Sequence, residues 1–241
     1  MRCQPEGTAS ELPPGVFNSQ RKTSCFRRLV DSVCVMVVAN PVRRLTEVEY
    51  LEIERRAPIK SEFLDGEMFA MSGGTRSHSL IATNMTRAIG NQLEGSPCVV
   101  YNSDMRVKVR PDGLYTYPDV SVACGREEFA DEHNDTLLNP VVIVEVLSDS
   151  REGYDRGKKF ALYRQIPSLR EYLLVSQHKP LVEQFIRRDN GEWLLREVSG
   201  LEGKVSLSSI VITIEMAKVY ANVRFVPAPP PAEKPDERSY F

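Results

Sequence analysis

The stretch Val141-Val142-Ile143-Val144-Glu145-Val146-Leu147 is apolar and largely β-branched except at one position. A short run of this kind reads as a strand buried on both faces inside an α/β domain. Side chains alternate along a strand, so Glu145 shares its face with Ile143 and Leu147. An unpaired carboxylate buried there is costly or is forced to hold a proton. Glu145 therefore needs a cation, a metal or strong hydrogen bonds. The competing reading puts it at the strand end, reaching solvent or capping a neighbour. The site reading is the stronger of the two.

A second strand, Thr116 to Ala123, carries another acid in Tyr117-Pro118-Asp119-Val120. Proline cannot donate to a ladder and marks an edge, a bulge or a strand start. Asp is depleted in strands, so alone this pair is a turn signal. If neighbouring strands bring Asp119 and Glu145 together, two hard oxygen ligands converge and their like charges demand a cation. Such a set suits Mg²⁺ or Mn²⁺ rather than zinc. In the next helix, expected from Tyr154 to Gln165, the residues Lys159, Leu162, Tyr163 and Ile166 are spaced i, i+3, i+4, i+7. That spacing turns Lys159 toward the sheet and Lys158 away from it. An inward lysine neutralises carboxylates or polarises a water and a phosphate oxygen. The alternative is a lysine snorkelling at the helix start.

The rest of the chain supplies a frame. Thr46 and Glu49 form a capping box for a first helix running to about Arg56. Asp65-Gly66 between two apolar segments is a hairpin signal. A long helix is expected from Ser77 to Leu93, and a closing one from Glu215 to Asn222. Further strands are expected at Cys98 to Tyr101, Arg106 to Val109, Glu171 to Val175, Val182 to Arg187 and Trp193 to Val198. The pattern is a mixed sheet with helices packed on it, an α/β (mixed α+β) fold. Residues 1–40 read as a disordered extension or an upstream translation start, with Met36 as the alternative initiator to Met1. Residues 41–225 read as the folded domain, and 226–241 as a Pro-rich extended tail.

The chain has 241 residues, 41% hydrophobic and 27% charged, which suits one domain with a sizeable core. A formal net charge of −2 advertises no global basic field, which leaves a local basic groove open. The alternating Arg106, Lys108 and Arg110 read as a solvated strand face. Five cysteines without a C-x-x-C pair argue against a disulfide framework or a thiolate zinc site. The expected compartment is the reducing cytoplasm. The apolar stretch at Leu29 to Ala39 is too short to span a membrane.

The succession Glu62-Phe-Leu-Asp-Gly-Glu67, Gly73 to His78, Tyr117-Pro-Asp-Val120, Val144-Glu-Val-Leu-Ser148 and Asp155-Arg-Gly-Lys-Lys-Phe160 resembles the Uma2 (DUF820) family. Tyr163-Arg164 and Pro167 to Val175 continue the likeness, which covers about residues 44–222. That family is grouped with the PD-(D/E)XK nucleases and described as restriction-endonuclease-like. The resemblance implies a mixed central sheet with flanking helices and a metal-dependent endonuclease activity on nucleic acid, DNA first. It matches Asp119 and Glu145 to the two acidic metal ligands. The lysine usually found two residues after the second acid is absent, because that position is Leu147. Lys159 matches a lysine moved onto the following helix. Glu62 resembles an upstream acidic residue, with Glu67 as its near competitor. His78 matches a recurring histidine, assigned either to phosphate contact or to capping the long helix.

On this reading Asp119, Glu145 and the Val146 carbonyl hold Mg²⁺ or Mn²⁺. Lys159 orients water, acts as its base, or stabilises phosphate charge. Arg106, Lys108, Arg151 and Arg156 are candidates for a basic groove, and a symmetric homodimer is the simplest way to cut both strands. Two other classes compete: a catalytically silent nucleic-acid- or protein-binding module, and a metal-dependent hydrolase of a small phosphoester.

Overall fold

Thr46 opens the first helix, α1 (Glu47–Glu54), with both halves of the capping box formed with Glu49. A computed structural model describes residues 43–109, 113–149 and 151–225. The expected N-terminal extension, the two candidate initiators, Arg110 and the Pro-rich tail lie outside the described residues. The Asp65-Gly66 hairpin joins β1 (Ser61–Leu64) to β2 (Glu67–Ala70). Both turn residues have positive φ, 52° at Asp65 and 86° at Gly66, which is the tight turn that matches strand twist. Thr75 caps the long helix α2 (Arg76–Leu93).

The expected strand over Thr116 to Ala123 is two strands, β5 (Leu114–Thr116) and β6 (Val120–Cys124), and they belong to different sheets. Tyr117-Pro118-Asp119 is the crossing between them. Pro118 has no N–H to continue the ladder, and the chain changes partners there. With β3 (Cys98–Asn102), β4 (Arg106–Val109), β7 (Thr136–Leu137) and β8 (Val142–Leu147) the first half is complete. The helix expected from Tyr154 starts earlier, as α3 (Glu152–Tyr154). It passes through a π-helical turn (Asp155–Lys159) into α4 (Phe160–Tyr163).

Strands β9 (Glu171–Ser176), β10 (Leu181–Arg187) and β11 (Trp193–Ser199) lie close to their expected limits. A hairpin of β12 (Lys204–Leu207) and β13 (Ile212–Glu215) follows, and the closing helix shrinks to one turn, α5 (Met216–Val219).

The mixed sheet is thus divided. Six strands run in the order β11-β10-β9-β8-β6-β3, with β8 and β9 parallel and the other pairs antiparallel. Five strands form β2-β1-β5-β4-β7. Strand β8 is central and buried on both faces. Val142, Val144 and Val146 pack with Ile81, Met85, Ile89 and Leu93 of α2. Ile143 and Leu147 point the other way, into a cluster with Leu162, Tyr163 and Ile166 and with Val107, Val109 and Leu114 of the five-stranded sheet. Glu145 lies on this second side, facing the layer shared by α4 and the second sheet. Truncating a fully buried aliphatic such as Ile89 costs about 2–5 kcal/mol, so each face anchors β8 firmly.

The cysteines form no framework among the described residues, but one pair is bridged. Strands β3 and β6 pair in a register that sets Cys98 opposite Cys124, and the two are bridged. The pairing depends on strand order, which cysteine spacing does not reveal. Among the described residues no helix is long and apolar enough to cross a membrane.

Candidate active site

Three elements deliver the central triad. Glu145 comes from β8, Glu62 from β1 and Lys159 from the end of the π-turn, and each is at least nine-tenths buried. Lys159 Nζ lies 2.8 Å from Glu145 Oε1 and 3.2 Å from Glu62 Oε1. The i, i+3, i+4, i+7 pattern is borne out: Lys159, Leu162, Tyr163 and Ile166 are buried while Lys158 is exposed. Leu147, two residues after Glu145 on the same strand face, is packed among apolar side chains. Glu62 rather than Glu67 joins the site; Glu67 lies across the hairpin from Leu64 and is exposed.

Asp119 is placed by the sheet's own register. Extending the pairing of Val120 with Val144 by two residues would set Pro118 opposite Val146. Proline has no N–H for the Val146 carbonyl, and the Asp119 carboxylate takes the Val146 N–H instead, at 2.7 Å to Oδ2. His78 Nε2 lies 3.3 Å from the same oxygen. The cap of α2 is Thr75, whose Oγ1 accepts the His78 N–H, so the imidazole itself is directed at Asp119.

The electrostatics are those of a site with crowded acids. Burial pushes Glu145 up to about 8, with the charges of Asp155 and Asp119 adding to it and Lys159 opposing. Burial alone would depress Lys159, but Glu145, Glu62 and Asp155 outweigh it and hold the ammonium well above its usual range. These charges favour the ammonium form of Lys159. Burial also pushes Glu62 upward, yet Lys159, Thr116 and Arg151 overcome it and keep that carboxyl low. The hydrogen bond that the His78 imidazole donates to Asp119 raises its pKa against the effect of burial, helped by Glu145 and the Val146 backbone.

Several partners escaped the sequence reading. Thr116 Oγ1 donates to Glu62 Oε1 at 2.6 Å, Arg151 to Glu62 Oε2 at 2.9 Å, and the Tyr163 hydroxyl to Glu145 Oε1 at 2.7 Å. Asp155 is buried beside Lys159, four residues before it on the same helix face. Extending the Lys159 periodicity one turn upstream would have found it.

The groove candidates fare unevenly. Arg106 is buried, stacked over the rings of Tyr50 and Tyr117 and paired with Asp135, so the reading of a solvated strand face is wrong there. Lys108 is paired with Glu47, and Arg156 with Glu152 and Glu183. Arg151 alone of the four lines the cleft, a space of about 720 Å³ bordered also by His78, Asp119, Glu145, Asp155 and Lys159.

A hard cation fits these donors. The contacts of Asp119 fall on Oδ2 and those of Glu145 on Oε1, while Val146 O has no ladder donor from Pro118. A buried oxygen of Asp155 at the cleft has no hydrogen-bond partner, and burial pushes that carboxyl up. Among the described residues no three His, Cys, Asp or Glu side chains form a ready cage for an ion. A set of two carboxylates, a carbonyl and water is the manner in which Mg²⁺ is commonly held.

The comparisons agree with this architecture. Residues 48–217 match the Uma2 family model, described as "Putative restriction endonuclease". Two uncharacterized proteins of Synechocystis sp., slr1290 and sll1609, are each 35% identical to the chain. The first match covers 77% of this chain and 96% of the relative, the second 73% and 100%. The crystal structure of a "putative nuclease belonging to DUF820" from Anabaena variabilis superposes with a TM-score of 0.61. It is 15% identical and aligns over 73% of this chain and 97% of its own, a likeness of fold. With a matching model over most of its folded residues and relatives of this identity, the chain belongs to the Uma2 family of restriction-endonuclease-like proteins.

Proposed function

We propose that the chain is a metal-dependent endonuclease that hydrolyses nucleic-acid phosphodiesters, with DNA as substrate. The observation that carries the reading is the convergence of Glu62, Glu145 and Lys159 beside Asp119 in one cleft. Asp119, Glu145 and the Val146 carbonyl would hold Mg²⁺ or Mn²⁺. Bound there, the ion supplies an acidified water and offsets charge on the phosphate. Lys159, kept as an ammonium, orients the water and stabilises the developing phosphate charge. Glu62 fixes Lys159 and Arg151 in place. His78 steadies the Asp119 carboxylate, in the way outer partners orient metal ligands. Arg151, at the cleft, meets the substrate phosphate.

Presence of the whole acidic set with its lysine favours turnover over a silent binding module. A cytoplasmic location and a symmetric homodimer cutting both strands belong to the same reading. Calorimetric titration with Mn²⁺ tests the metal assignment: wild type binds, and Asp119→Ala and Glu145→Ala bind at least tenfold more weakly. Unaltered affinity in both variants would remove these residues from the metal. Activity on a small diester such as bis-p-nitrophenyl phosphate without cleavage of any nucleic acid would move the substrate to a small phosphoester.

A further inference from the structure

Asp155 holds the one buried carboxylate oxygen at the cleft, among the described residues, that lacks a hydrogen-bond partner. Its side chain is 4% exposed, and its Oδ1 lies 3.7 Å from Lys159 Nζ, beyond hydrogen-bonding distance. Leaving a buried acceptor unmatched is costly and uncommon. The carboxylate is set there by the backbone. It begins the π-helical turn that Lys159 ends, and both residues face inward while Gly157 and Lys158 are exposed. Such widened turns occur mostly at functional sites. The Asp155 carbonyl also accepts the Tyr172 hydroxyl from β9 at 3.2 Å, which pins the turn to the sheet.

The Lys159 ammonium has three donors and three carboxylates around it. Glu62 and Glu145 take two of them at hydrogen-bonding distance. Glu145 Oε1 is shared with the Tyr163 hydroxyl, and in the proposed function the same carboxylate also serves the metal. Charge drawn from Glu145 toward an ion loosens its hold on Lys159. Asp155 is then the acid on the ammonium's own helix that keeps it seated.

We propose that Asp155 is a positioning residue of this hydrolysis, forming the third wall of the Lys159 seat and holding the ammonium aimed into the cleft. The inference rests on the nuclease reading for its catalytic consequence, and on geometry alone for the seat. Two readouts test it. The first is the ¹⁵N-edited resonance of the Lys159 ammonium and its hydrogen exchange, which needs neither metal nor substrate. Asp155→Asn should shift the resonance and speed its exchange, and Asp155→Glu should restore part of the protection. The second is a double-mutant cycle in Mg²⁺-dependent cleavage. Asp155→Asn should lower kcat by about tenfold with little change in KM, as misplacement of a catalytic group does. In a Lys159→Met background it should cost nothing further, because the two act as one unit.

An unchanged Lys159 resonance in Asp155→Asn would overturn the proposal. An equal kcat loss in both backgrounds would also overturn it, since Asp155 would then act apart from Lys159. If wild type cleaves nothing, the nuclease reading fails while the resonance still decides the seat. Failure of both Asp155→Asn and Asp155→Glu to fold would assign the residue to folding and overturn positioning.

Discussion

Removing the Lys159 ammonium while leaving its acids in place probes the site without any assumption about turnover. In Lys159→Met a side chain of similar length replaces the only cation paired with Glu145 among the described residues, and Glu62 keeps Arg151. Breaking a buried pair by deleting one partner costs about 3–5 kcal/mol. Glu145 is already pushed up to about 8, so it takes a proton readily and relieves part of that cost. The lower end, about 3 kcal/mol, is therefore expected. For a chain of this size that is a fall in Tm of about 6–12 °C. Urea unfolding in EDTA at neutral pH measures it directly. Well above pH 8, where Glu145 would otherwise be driven to carry its charge, adding Glu145→Gln to Lys159→Met should recover about 1 kcal/mol or more. A loss below about 1 kcal/mol, the range of an exposed pair, would refute the claim that Lys159 balances buried acids.

Other outcomes follow from the same geometry. Pro118→Ala should give the chain an N–H opposite Val146, so that the carbonyl is drawn into the ladder and Mn²⁺ affinity falls in calorimetry. In EDTA, Glu145 makes the folded state bind a proton more tightly than the unfolded chain, so its contribution to stability should fall as pH rises from the ordinary carboxyl range to about 8. Comparing urea midpoints of wild type and Glu145→Gln across that range isolates the effect; parallel curves would contradict it. Reduction of Cys98–Cys124, or Cys98→Ser with Cys124→Ser, should cost about 3 kcal/mol, as expected for the loop it closes.

What was legible in the sequence was what local pattern carries. The β8 run, the Asp65-Gly66 turn, the Thr46 box and the inward phase of Lys159 all depend on neighbours within a few residues, and all four appear in the fold. Pro118 signalled a ladder defect, but only the division into two sheets decided that it ends one strand and begins another. Arg106 looked solvated because its cover, Tyr50 and Tyr117, comes from elsewhere in the chain. Cys98 and Cys124 meet only because β3 pairs with β6. Asp155 sat one turn upstream of Lys159 on the same face, where an acid near a helix start is easily taken for dipole compensation.

Glu62 shows the boundary most clearly. Its choice over Glu67 rests on which side of the hairpin faces β5, and that follows from tertiary packing alone. The resulting site is assembled across both sheets. Thr116 and Glu62 come from the five-stranded sheet and Glu145 from the six-stranded one. Lys159 crosses between them from the helix, so its ion pairs tie the two layers together at the cleft.

The most direct test of the central claim is cleavage of supercoiled plasmid and of labelled single-stranded oligonucleotides with Mg²⁺, Mn²⁺ or EDTA, by wild type beside Asp119→Ala. Wild type should cut in a metal-dependent way that EDTA abolishes and the folded variant lacks. Cutting by Asp119→Ala at the wild-type rate, or by wild type in EDTA, would contradict it.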